Sequence, residues 1–141
     1  VITLADYWMG RDATHPLDMT PQIERNAFLL LELVDKVLVL AKGAGVTFER
    51  HPKTGTIVSS GWRPPAVNAE TPRAAFRSKH MTGQAIDLFD PDGDLDEWLL
   101  TDDGKRVLKD LGLWMEHPAA TKGWSHLQSV PPRSGSRVFY P

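Results

Sequence analysis

The segment from Thr20 to Gly43 limits the possible folds more than any other part of the chain. Thr20 stands before Pro21, an N-cap hydroxyl followed by a proline at the first helical position, where its missing N–H costs nothing. Ile23, Ala27, Leu30, Leu31, Val34, Leu38 and Ala41 then recur at helical spacing, and Glu24, Arg25, Glu32, Asp35 and Lys36 occupy other positions. Gly43 is expected to end this helix in a left-handed conformation. The apolar stripe reads as core and the helix as scaffold.

At 141 residues the chain suffices for one core and not two, so a single domain over residues 1–141 is expected. A formal net charge of −2 carries no nucleic-acid footprint. No cysteine is present, which excludes disulfides and thiolate metal sites; any metal must be held by histidine and carboxylate. No stretch approaches the roughly 18 apolar residues of a membrane span, so membrane insertion is not expected. The segment from Val1, with Asp6, Arg11 and Asp12, does not read as a signal peptide.

Val1 to Asp18 reads as an irregular arm whose Tyr7-Trp8-Met9-Gly10 cluster packs on the body. Val46 to Phe48 reads as a short strand, and His51 lies in a polar loop with no partner at metal-site spacing. Thr56 to Ser60 is a strand ending at Gly61-Trp62-Arg63. Pro64-Pro65 then forbids further pairing, and the chain is expected to loop through Asn68, Pro72 and Arg73. Arg63 thus projects from a strand end. Trp62 and Trp98 read as core aromatics.

The stretch Ser78 to Asp87 reads Ser-x-His-x-x-Gly-x-Ala-x-Asp. Gly83 marks a turn, and Gln84 to Phe89 alternates as a strand, with Ala85, Asp87 and Phe89 on one face and Ile86 and Leu88 on the other. An imidazole from His80 and a carboxylate from Asp87 that converge this way are two ligands suited to zinc, although such a pair alone is equally a turn hydrogen bond. Asp90 to Asp94 is a turn, since Pro91 and the lack of a matching glutamate break a calcium-loop pattern. Asp94 is expected to cap the next helix, with Glu97 completing a capping box. Leu95 to Leu100 and Asp103 to Leu111 form one broken helix or two short ones, closed by Gly112. Strands follow at Leu113 to Glu116 and Trp124 to Ser129, and Arg137 to Tyr140 is strand-like. The expected fold class is α+β: a small antiparallel sheet carrying a zinc site, packed against the long N-terminal helix and the broken second one.

Ser59-Ser60-Gly61-Trp62-Arg63, the Ser78–Asp87 motif and Trp124-Ser125-His126, in that order, resemble the zinc peptidases of bacterial cell-wall metabolism. That family includes D-alanyl-D-alanine carboxypeptidases and dipeptidases and phage endolysins that cut peptidoglycan peptides. The resemblance covers roughly Ile57 to Gln128. It implies His80, Asp87 and His126 as ligands of a catalytic zinc with one position open for water. It implies Arg63 as the arginine that meets substrate, by clamping a carboxylate or stabilising an oxyanion. Ser78 fits the motif and holds its loop or touches substrate. Trp124 and Gln128 share the face of His126 and are expected to wall the cleft or to orient the ligands from behind.

The chain departs from the family where a base is needed. Many members carry Glu or Asp three residues before the last histidine, or a second histidine two before it. Here those positions are Gly123 and Trp124. A hairpin with Glu116 opposite Trp124 and Trp114 opposite His126 would put Glu116 diagonal to His126, making it the candidate base. His117 would face away. The implied activity is hydrolysis of a D-amino-acid-containing peptide bond in peptidoglycan by a monomer acting on the wall, in the periplasm or outside the cell, in the manner of a phage lysis protein. Which bond is cut stays open. The alternative is a catalytically silent zinc module that binds wall fragments or serves a phage structure.

Overall fold

The computed structural model describes residues 1–141. The N-terminal arm is helical: α1 spans Leu4–Trp8 and α2 spans Arg11–Thr14, followed by a 3-10 turn at Pro16–Asp18. This corrects the irregular reading. Thr3 and Asp6 form a reciprocal capping box that nucleates α1. Tyr7 and Trp8 are buried, with the Trp8 ring edge-on to Trp62.

Helix α3 spans Pro21–Gly43, and the Thr20 hydroxyl accepts the Ile23 N–H at 3.1 Å. Its buried stripe is Ala27, Leu30, Leu31, Val34, Val37 and Ala41. The left-handed residue at its end is Gly45 (φ 96°), two positions later than expected. Val46 to Phe48 forms no strand, and β1 is confined to Val58–Ser60. Pro65 does more than end pairing: as a first-turn proline it opens α4, Pro65–Glu70, where a loop was expected.

Strand β2, Ala85–Asp90, is followed by α5, Asp94–Leu99, and α6, Asp102–Leu111. The cap of α5 differs from expectation. The Asp90 carboxylate reaches over the turn to accept the Leu95 and Asp96 N–H groups, both at 3.0 Å, while Gly93 holds the N-cap position. Gly112 closes α6 in a left-handed conformation (φ 66°), as its sequence signal implies.

Strands β3 (Trp114–Glu116), β4 (Gly123–Gln128) and β5 (Val138–Phe139) complete a five-stranded sheet of order β1-β2-β4-β3-β5. All pairs are antiparallel except β3 with β5. One face supplies Ile86, Leu88, Met115 and Leu127, all fully buried, to the core shared with α3, α5 and α6. The opposite face carries Asp87 directly across from His126. The fold is α+β, as its pattern of elements indicates.

The β3–β4 register is two residues from the expected one: Trp114 lies opposite Gln128 and Met115 opposite Leu127. A shift of two preserves the face of each side chain. Continued by one residue, this register sets Glu116 across from His126 itself. The cause is the connection, where His117 caps a 3-10 turn at Pro118–Ala120, and β5, which fixes β3 from its other edge through His117 N–H to Phe139 O at 2.7 Å.

Candidate metal centre

The site is assembled where three loop-to-strand junctions meet. After β1 the chain turns at Gly61, whose backbone touches the N-terminal arm: Trp62 N–H donates to Tyr7 O at 3.0 Å, and a Cβ on Gly61 would lie 2.0 Å from that same oxygen. Only glycine allows this approach. The Trp62 indole N–H donates to Met81 O at 3.1 Å, and Arg63 N–H donates to His80 O at 3.1 Å. The Gly-Trp-Arg segment is thereby bonded to the loop that carries His80.

That loop is a 3-10 turn, Lys79–Thr82, capped by Ser78, whose hydroxyl accepts the His80 N–H at 3.3 Å. Gly83 ends it with φ 74° and packs on α3, where a Cβ would stand 2.8 Å from Ile23 O. The serine and glycine of the motif therefore set the position of His80. Ser78 holds the loop, the first of the two roles its sequence position offers.

His80, Asp87 and His126 converge, with one ligand atom of each within 4.8 Å of the others, and all three residues are buried. Asp87 Oδ1 lies 2.8 Å from His126 Nδ1 and 3.3 Å from His80 Nε2. Each ring is oriented by its remaining nitrogen. His80 Nδ1 is 2.8 Å from Gly61 O, and His126 Nε2 is 2.9 Å from Gln128 Oε1. Gln128 is itself fixed, donating to Val130 O at 2.8 Å. With those two nitrogens engaged, His80 Nε2 and His126 Nδ1 are the ring atoms that face the carboxylate, and they are the nitrogens a metal ion would take. This buried group can hold a metal ion.

Comparisons with protein-family models, with curated proteins and with solved structures find no match. The chemistry of the centre must therefore be argued from its own residues.

Burial opposes the charge on Asp87, but His80 and His126 outweigh it and hold the carboxyl far below the usual range. Burial lowers His80 despite the neighbouring carboxylate. For His126 burial also disfavours charge, yet bonding to Asp87 and the charges of Asp87 and Glu116 raise it overall. Burial pushes the Glu116 carboxyl up, with Asp87 adding to the rise and His126 and Arg63 opposing it.

Arg63 does not project freely. It is buried, with Nη2 donating to Asp87 Oδ2 at 3.2 Å and Nε to Ser60 Oγ at 3.0 Å. The expected strand-end arginine is thus folded onto a ligand carboxylate, where it also fixes the second oxygen of Asp87. Trp124, half-buried, lies across from Phe89. His51 packs edge-on to Phe89, and His117 stacks on Tyr140; neither joins the centre. Three contributors escaped the sequence reading: the Gly61 carbonyl, the Ser60 hydroxyl and Tyr7, whose hydroxyl donates to Ala85 O at 2.7 Å behind the site. A backbone carbonyl leaves no trace in residue type.

Proposed function

We propose that the chain is a zinc metallopeptidase that hydrolyses a peptide bond in peptidoglycan, in a stem peptide or a cross-link. The observation that carries this reading is the convergence of His80, Asp87 and His126 with each imidazole already oriented by a separate acceptor. Two nitrogens and one carboxylate oxygen, without thiolate, are the donors of an open zinc site. Zinc bound there supplies Lewis acidity toward a peptide carbonyl and an activated water.

The protein residues carry the rest. Glu116, raised by burial and set across from His126, takes a proton from the attacking water and delivers it to the leaving amine. Arg63 holds the second oxygen of Asp87 in place, leaving its remaining donors for a substrate oxygen. Gln128 keeps His126 in the tautomer that presents Nδ1. On this reading the partner is a peptidoglycan peptide and the place of action is the bacterial wall, in the periplasm or outside the cell.

Incubating zinc-loaded protein with purified peptidoglycan and reading the released fragments by mass spectrometry tests the proposal. A defined new peptide is expected. Glu116→Gln is expected to keep one zinc per chain while slowing release by about 100-fold or more. The second reading, a silent zinc module that binds wall fragments, is favoured by Gly123 and Trp124 standing where a base is usual. No release from several wall chemistries by fully loaded protein would decide for it.

A further inference from the structure

A groove of about 730 Å³ opens between α4 and the loop that leads into His80. Its wall includes Ser78, Lys79 and Met81, which flank His80 in the chain. The only charged side chains lining it are Arg77 and Lys79, both exposed. No acidic side chain lines it. Phe76, 89% exposed, stands at the same groove with nothing packed over its ring.

Asn68 supplies an independent sign of a ligand. It is 6% exposed and lines the groove, with Nδ2 donating to Ala75 O at 2.9 Å to pin the loop. Its Oδ1 is buried and has no hydrogen-bond partner. A buried amide oxygen left bare is unfavourable, and a donor that reaches it would relieve it. The lining thus includes a residue with an unpartnered acceptor, two cations and an aromatic surface, a combination matched to a peptide that carries both a backbone N–H and a carboxylate.

We infer that this groove binds a carboxylate-bearing peptide segment, Arg77 and Lys79 meeting the carboxylate, Asn68 Oδ1 accepting a backbone N–H, and Phe76 covered by the bound chain. Calling that peptide the substrate rests on the peptidase reading; the binding itself does not. Preference for acidic peptides is then set by Arg77 and Lys79, and loss of the two charges changes affinity while leaving the hydrolytic residues untouched.

The test uses a stem peptide containing D-glutamate with its carboxylate free, and the same peptide with that carboxylate amidated. Binding to the full chain is followed by NMR shifts of the backbone amides of residues 68–82, and turnover by fragment release. The free acid is expected to bind roughly fivefold more tightly than the amide. Arg77→Gln with Lys79→Gln is expected to abolish that difference, raising KM with kcat unchanged. Equal affinity for acid and amide in the unaltered protein, or shifts confined to other residues, would overturn the inference. Cleavage unaffected by the double variant would overturn it and leave the peptidase reading standing. Acid-selective binding in the groove without cleavage of any wall material would do the reverse.

Discussion

Asp87 is the residue on which the centre turns. Its Oδ1 faces His80 and His126, and its Oδ2 takes the Arg63 guanidinium. Removing a metal ligand and removing a counter-charge are therefore different experiments at neighbouring positions. His126→Ala is expected to abolish metal binding at a cost of about 1–3 kcal/mol, since Asp87 and Gln128 each lose a buried partner while His80 and Arg63 still face the carboxylate. Asp87→Ala abolishes it too, but strands a buried guanidinium, and should cost about 3–5 kcal/mol. Metal content by elemental analysis, alongside urea unfolding of the metal-free proteins, separates the two effects. Equal unfolding midpoints would mean that the Arg63–Asp87 pair contributes nothing to stability.

At the scale of elements, the site depends on how closely the N-terminal arm approaches the turn after β1. Gly61→Ala would drive a Cβ into the Tyr7 carbonyl, both sides of the contact being backbone. A loss of about 2–3 kcal/mol is expected, together with roughly tenfold weaker metal binding, because the Gly61 carbonyl orients His80. Gly43→Ala, which meets nothing within 4 Å and lies in a helix, is the control and should be neutral or slightly stabilising. Thermal unfolding and metal titration of the two variants check this. Much at this scale was legible from residue order. The hydroxyl of Thr20 and the ring of Pro21 act within one turn, so the start of α3 could be read directly. The alternation through Ala85 to Phe89 likewise fixed the face of Asp87. What escaped depended on distant partners. Pro64-Pro65 signals both the end of pairing and the start of a helix, and only the packing chooses α4. The β3–β4 register depends on β5, which sits on the other edge of β3 and pairs in parallel. The triad's residue types were visible; Arg63 folding back onto Asp87 was not, because nothing local marks a cation as buried.

Across the whole molecule a second buried acidic group, in α5, contributes to the response to pH. Asp96 is buried beside Asp90, with Oδ2 accepting from Thr121 at 3.2 Å and Oδ1 without a partner. Burial pushes its carboxyl up to about 6, with the charge of Asp90 adding to the rise and the hydroxyls of Ser125 and Thr121 opposing it. A folded carboxyl that holds its proton more tightly than the unfolded chain stabilises below its ordinary value of 3.8 and loses that contribution as pH rises through about 6. Asp96→Asn removes the titration. Relative to the parent, the variant should gain about 1 kcal/mol or more between pH 5 and pH 7. Urea midpoints of both proteins across that interval check it, and parallel curves would exclude Asp96 as the source. No helix is long and apolar enough to cross a membrane.

The pairing of His126 with Asp87 spans 39 positions of sequence and closes across the central strands β2 and β4. During synthesis the first two ligands are made well before the third, and they can be drawn together with it only when β4 docks against β2. Loop closure of this length is an entropic barrier that local structure cannot lower. A metal ion that needs all three side chains would thus be captured late in the life of the nascent chain, and once bound it would record that the sheet has closed.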